Sequence, residues 1–275
     1  MISITSDIHH QGLQTGNQKH SDITEVQTAI IMHKLFKKFN IKATYFISGK
    51  AFEDQWNELK NICDDPSFDI GGHNYYCFKP ELFHRITNKL FDSYNGSKSY
   101  QRWETKKTQR IIKEKVGRDC IFWRNHMYMH GKYTDDVLPE LGIRVCSDGV
   151  KKDSNGLDLV SNDYFHLPIN IIPDHEHLIH AERTPEWIED WVKRYNWSDD
   201  FGSDSYPVEV WRNILINQVK ENEKNGVLSN IIIHPITMYL CDNFKSLEII
   251  LDELKEFQFV NFSDLYNAQK QKISA

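Results

Sequence analysis

Short apolar runs alternate with amphipathic segments along the whole chain, and this alternation constrains the fold more than any other feature. Residues 41–47 (Ile-Lys-Ala-Thr-Tyr-Phe-Ile) are β-branched and aromatic, and Ser48-Gly49 follows as a stop. Runs of the same kind lie at residues 1–6, 68–70, 120–123, 143–146, 164–172, 231–233 and 259–262. Gly71-Gly72 reads as the break that ends the run at 68–70. Helical patterns fill the intervals. Thr24-Glu25-Val26-Gln27 has the form of a capping box and opens a helix to residue 39. Others cover 52–63, 80–91, 100–116, 135–141 and 208–222, and Thr184-Pro185 starts one more. In 244–257, Leu247, Ile250, Leu251, Leu254 and Phe257 share one face. Buried strands each followed by a helix imply parallel pairing with the helices outside. About seven such strands predict an α/β fold, a closed or nearly closed (β/α) barrel, with an open doubly wound sheet as the second choice. No repeat or Pro/Gly-rich linker divides the sequence, so residues 1–275 read as a single domain.

Composition narrows the function classes. The chain has 33 Lys+Arg against 39 Asp+Glu, a formal charge of −6, and no long basic run, which argues against reading nucleic acid through its phosphates. No apolar stretch reaches the roughly 18–20 residues needed to cross a bilayer. The first ten residues lack a basic-then-apolar leader, which gives the expectation of a cytoplasmic protein. Cys63, Cys77, Cys120, Cys146 and Cys241 are scattered, with no Cys-x-x-Cys, and read as free thiols rather than a disulfide framework. There is no Gly-x-Ser-x-Gly elbow, Walker loop, Gly-x-Gly-x-x-Gly turn or His-Glu-x-x-His.

Chemistry in such a fold belongs at the C-terminal ends of the strands. Asp7, His9 and His10 follow the first strand, and His73 the third. Arg124, Asn125 and His126 follow the run ending at Trp123, and Asp148 the run ending at Cys146. Asp174, His175, Glu176 and His177 follow Ile172, and His234 follows Ile233. Polar loops are common, but six strands delivering ionisable residues to one rim is what an active site in a barrel mouth requires. Asp7, His73 and His234 together suit a divalent metal: one carboxylate and two neutral imidazoles fit Zn²⁺ with a position left for water, and also admit Co²⁺, Ni²⁺ or Fe²⁺. His126, Tyr128, Asp174 and His175 lie on the same rim and are candidates for substrate contact. Trp187 and Trp191, one helical turn apart, read as packed inward, and Trp197 and Trp211 as core rather than as sugar-stacking rings.

The order of these pieces resembles the polysaccharide deacetylases of carbohydrate esterase family 4, the NodB-homology fold. Residues 41–49 (Ile-Lys-Ala-Thr-Tyr-Phe-Ile-Ser-Gly) are similar to the family's Lys-Ala-Thr-Phe-Phe strand, and Asp69-Ile-Gly-Gly-His73 to its metal motif. Phe122-Trp-Arg124, Leu138-Pro-Glu-Leu-Gly-Ile143, Ile232-Ile-His-Pro235 and residues 257–265 match later motifs in the right order. The resemblance implies a distorted (β/α)7 barrel and a metal-dependent hydrolase that removes an N-acetyl or other N-acyl group from an amino sugar. It implies Asp7 as general base, His73 as a metal ligand, Arg124 as the residue that orients the base, and His234 as general acid.

Two positions depart from the family pattern. Ile8 stands where a metal-binding aspartate is expected, and Cys77 where the second histidine of His-x-x-x-His is expected. Ile8 has no donor atom, so the metal set read here is Asp7, His9 and His73, with His10 or Cys77 as substitutes. Cys77, four residues after His73, would share its face on a helical turn. Without a leader, the expected substrate is an N-acylated sugar or glycan precursor in the cytosol. Hydrolysis of another linear amide or formamide, or sugar binding without catalysis, are the alternatives.

Overall fold

The computed structural model describes residues 1–10 and 12–274. One eight-stranded sheet organises it, in the order β6-β7-β5-β4-β3-β2-β1-β8. The strands are β1 (Ile2–Ile8), β2 (Ala43–Ile47), β3 (Phe68–Gly72), β4 (Phe122–Trp123), β5 (Val145–Cys146), β6 (Asp158–Ser161), β7 (Tyr164–His166) and β8 (Ser229–Ile232). All neighbouring pairs are parallel except β6–β7, an antiparallel hairpin at one edge. The sheet curls into a half-barrel. The chain just after β7 reaches across to β8: Asn230 N donates to Asn170 Oδ1 at 2.8 Å, and Asn230 Nδ2 donates to the carbonyls of Leu167 and Pro168.

Helices cover the outside, as the alternation predicts. Thr24 caps the helix Glu25–Lys38 with a reciprocal capping box to Gln27. Thr184 caps Pro185–Tyr195, with proline in the first turn. In Lys245–Leu254, Leu247, Ile250, Leu251 and Leu254 are all buried. The segment 52–63, expected as one helix, is two, Gly49–Asp54 and Trp56–Cys63, the first capped by Ser48.

Three expectations about strands are corrected. β3 continues through Gly71 and Gly72. A Cβ at Gly71 would lie 2.7 Å from the Phe46 ring and one at Gly72 2.3 Å from the Trp123 ring, so these glycines admit aromatic neighbours rather than ending the strand. Residues 259–262 form only a bridge between Phe259 and Ile2, because the helix Phe262–Ser274 begins there. β6 was not foreseen, since its residues are exposed and lack the apolar pattern used to find the rest.

Alternation within β1 sets the interior. Ile2, Ile4 and Ile8 join the hydrophobic core. Thr5 and Asp7 share the opposite face and meet Arg124, which is wholly buried. No helix among the described residues is long and apolar enough to cross a membrane.

Candidate metal centre and active site

His9 follows β1 directly. Its Nδ1 lies 2.6 Å from Glu25 Oε1, and its backbone N–H donates to the same oxygen at 3.0 Å. Glu25 is buried in the first turn of its helix. His73 follows β3, and its Nδ1 lies 3.0 Å from the Arg124 carbonyl. A carboxylate and a carbonyl only accept, so both Nδ1 atoms carry the proton. In neutral rings both Nε2 atoms then present lone pairs, and they stand 3.0 Å apart. Two lone pairs held face to face at that distance are relieved by a cation between them, a proton or a metal ion. Burial, then the charges of His9, Arg124 and His234, hold the His73 pKa well below its ordinary value, which keeps it in the form a metal binds.

A third imidazole joins them. His126 Nδ1 lies 3.4 Å from His73 Nε2, and its ring is 4.8 Å from that of His9. Burial also pushes its pKa well down. Cys77 Sγ completes a group in which all four donor atoms fall within 4.8 Å of one another. Residues 73–77 form an irregular turn rather than a helical one, with positive φ at Asn74 and Cys77, so the expected helical pairing of Cys77 with His73 is not how the thiol arrives. The Cys77 Sγ is 3.6 Å from the His73 carbonyl, and burial pushes the thiol well above its usual range. His10 is not brought to the cluster: its Nε2 pairs with Asp54 at 3.1 Å.

Asp7 stands beside the imidazoles. Arg124 Nη1 donates to Asp7 Oδ1 and to Thr5 Oγ1, both at 2.9 Å. The rest of the guanidinium is fixed by Ser147, Nε to its carbonyl at 2.8 Å and Nη2 to its hydroxyl at 2.6 Å. Asp7 Oδ2 is buried and has no hydrogen-bond partner. It lies 3.7 Å from His73 Nε2 and 3.9 Å from His234 Nε2. An orphaned carboxylate oxygen facing a set of imidazole nitrogens fits a metal with its water, and the donor set fits zinc or its neighbours.

His234 closes the opposite side. Its Nδ1 lies 2.7 Å from Asp174 Oδ1, and its backbone N–H donates to Asp174 Oδ2 at 2.6 Å. Burial opposes its charge, but Asp174, Asp7 and Glu176 outweigh that and lift its pKa to about 9. Asp174 is fully buried behind His234 and does not face the cavity. His175 and Tyr128 do, the first bound through Nδ1 to Thr237 Oγ1 at 3.2 Å, the second donating to Glu176 Oε2 at 3.0 Å.

The cavity in front of these residues has a volume of about 550 Å³. Trp187, Trp191 and Trp197 form its far wall, which corrects the expectation that they pack into the core. Trp211 is fully buried, as expected. Glu25 and Arg183 were missed by sequence reasoning, and Glu176 was placed on the rim without a role. Glu25 sits inside the capping-box segment, where a helix signal masks it, and Arg183 follows no spacing rule.

The family profile for polysaccharide deacetylases matches residues 22–146. A protein from Mycobacterium smegmatis assigned as a polysaccharide deacetylase has a similar structure, with TM-score 0.69, 13% identity, and coverage of 98% of this chain and 91% of its own. The allantoinase Puue aligns with TM-score 0.63 at 13% identity over 97% and 89% of the two chains. A pseudoenzyme of the CE4 family from Bacillus anthracis aligns with TM-score 0.52 at 14% identity, over 97% of this chain and 65% of its own. At these identities the structural likenesses establish the fold alone. No curated protein sequence matches the chain.

Proposed function

We propose that this chain, whose residues 22–146 match the polysaccharide deacetylase profile, is a metal-dependent hydrolase that removes an N-acyl group from an amino sugar. The observation that carries the reading is the 3.0 Å approach of His9 Nε2 to His73 Nε2, with both Nδ1 atoms already bonded and Asp7 Oδ2 unpartnered beside them. His9, His73 and His126 would hold the ion, with Asp7 Oδ2 next to it and Cys77 behind. Such an ion, when bound, lowers the pKa of water and polarises a carbonyl. Nitrogen-rich ligation suits zinc best among the candidates, with cobalt, nickel or iron also accommodated.

The protein's own groups then divide the proton work. Asp7 takes the proton of the attacking water at Oδ2, while Arg124 holds Oδ1 and fixes the carboxylate plane. His234, charged near neutral pH, gives a proton from Nε2 to the departing amine, and Asp174 holds its Nδ1 in place. The two groups flank one point: Asp7 Oδ2 and His234 Nε2 are 3.9 Å apart. A base and an acid across that gap suit cleavage of a linear amide. The substrate proposed is an N-acylated sugar or glycan precursor met in the cytoplasm.

Release of acetate from a panel of N-acetylated sugars by metal-loaded protein tests the reading. Turnover that disappears on chelation and returns with zinc or cobalt is expected. Bound metal with no acetate from any sugar would turn the assignment to another linear amide, and absence of metal binding would end it.

A further inference from the structure

Arg183 lies at the tryptophan end of the cavity, away from the imidazole cluster, and the proposed proton transfers do not use it. Only 4% of its surface is exposed. Its guanidinium carbon lies 4.9 Å from the Trp187 ring centre and 5.0 Å from that of Trp191. Among the described residues its side chain has one protein acceptor, the Glu176 carbonyl, 2.8 Å from Nη2. Nε is buried with no acceptor at all. A buried guanidinium carries five N–H donors, and leaving them unmet is costly. Cation–π contact with two indoles offsets part of that cost but accepts no in-plane hydrogen bond.

The Glu176 and Glu182 carboxylates offset part of the Arg183 charge, but among the described residues no carboxylate oxygen accepts from its guanidinium. Glu25 is engaged by His9, Asp199 by His177 and Glu176 by Tyr128. Glu182 and Asp200 lie nearer solvent and make no ion pair with Arg183 among the described residues. Arg183 is the one arginine or lysine among the residues that line the cavity. Trp187 and Trp191 flank the guanidinium, which is itself buried, and burial strengthens any charge pairing there. A planar, always charged, buried fork matches an oxyanion in geometry and sign.

We propose that Arg183 receives a compact oxyanion, a carboxylate or a phosphate, carried by the substrate, so that the sugar processed at the imidazole end is an acidic or phosphorylated one. The inference rests on the deacylation reading for the direction in which the sugar lies, but the anion site is tested without turnover. Tryptophan fluorescence is titrated with N-acetylglucosamine 1-phosphate, with the corresponding 2-acetamido uronic acid and with neutral N-acetylglucosamine. At least one anionic probe binds tenfold or more tightly than the neutral one, and the probe that does so identifies carboxylate or phosphate as the source. Arg183→Gln removes that gain and leaves the neutral sugar's affinity unchanged, while Arg183→Lys retains part of it. In the unaltered protein the gain shrinks as salt is raised, a readout that needs no variant to fold. Equal affinities for all three probes, or a gain that survives in Arg183→Gln, would overturn the assignment. Acetate release is scored separately, so an anion preference without turnover would fault the reaction and not the site.

Discussion

His9 Nε2 and His73 Nε2 face each other at 3.0 Å, each ring tethered through Nδ1 by an acceptor from a different part of the fold. Glu25 belongs to the helix after β1, and the Arg124 carbonyl to the loop after β4. The tethers set both tautomers and aim both lone pairs before any ion arrives. Glu25→Gln should therefore weaken zinc binding by about ten- to a hundredfold, the range for loss of a carboxylate behind a ligating histidine. His9→Ala and His73→Ala should lose more. Competition with a zinc-sensitive dye measures all three, and unchanged affinity in Glu25→Gln would show that the tether is dispensable.

Cys77 reaches the cluster but should not bind the ion as thiolate. Three imidazoles already converge, and the Cys77 Sγ lies 3.6 Å from the His73 carbonyl. Cys77→Ser should keep metal affinity within about threefold, below the tenfold step typical of changes behind the ligands. Cobalt-substituted protein should show no thiolate-to-metal charge-transfer band. A band that vanishes in Cys77→Ser would make the thiol a ligand.

Much of this arrangement was legible in the sequence, and the limits have physical causes. The buried strands announced themselves because a parallel sheet covered on both faces reads as continuous apolar runs, as in residues 41–47. Asp7, His73, Arg124 and His234 were found because strand ends must deliver the chemistry. His126 was placed on the right rim and read as a substrate contact, and its 3.4 Å approach to His73 depends on a loop path that no spacing rule gives. Trp187 and Trp191 share a helix face, and spacing alone does not tell whether that face meets core or cavity.

Arg124 is a structural element as much as a participant in chemistry. It is wholly buried, and its guanidinium ties β1 to the chain after β5 through Thr5, Asp7 and Ser147. Removing one partner of a buried pair leaves the other uncompensated, so Arg124→Met should cost on the order of 3–5 kcal/mol of stability. Urea denaturation measures it. Asp7→Asn keeps an acceptor for Arg124 at nearly constant volume, and should lower kcat by about two to four orders of magnitude, as loss of a general base does. A stable but fully active Asp7→Asn protein would place the base elsewhere.

The pH profile separates the acid from the base. His234 works in its protonated form. Burial disfavours that form, but Asp174, then Asp7 and Glu176, raise its pKa to about 9. Because the folded pKa lies above the ordinary value of 6.5, the charge and its stabilisation are fully present below 6.5 and are lost as pH rises through about 9. The logarithm of kcat/KM should accordingly stay level through neutrality and fall with unit slope above about 9. Asp174 is the largest favourable influence, and its two oxygens bind both the ring and the backbone of His234. Asp174→Asn keeps an acceptor for one of those bonds but removes the charge, so the alkaline limb should move down toward neutrality while the metal content stays the same. His234→Gln should abolish the limb and lower kcat by about two to four orders of magnitude, again with metal retained. An alkaline limb that stays in place in Asp174→Asn would mean that the group titrating there is not His234.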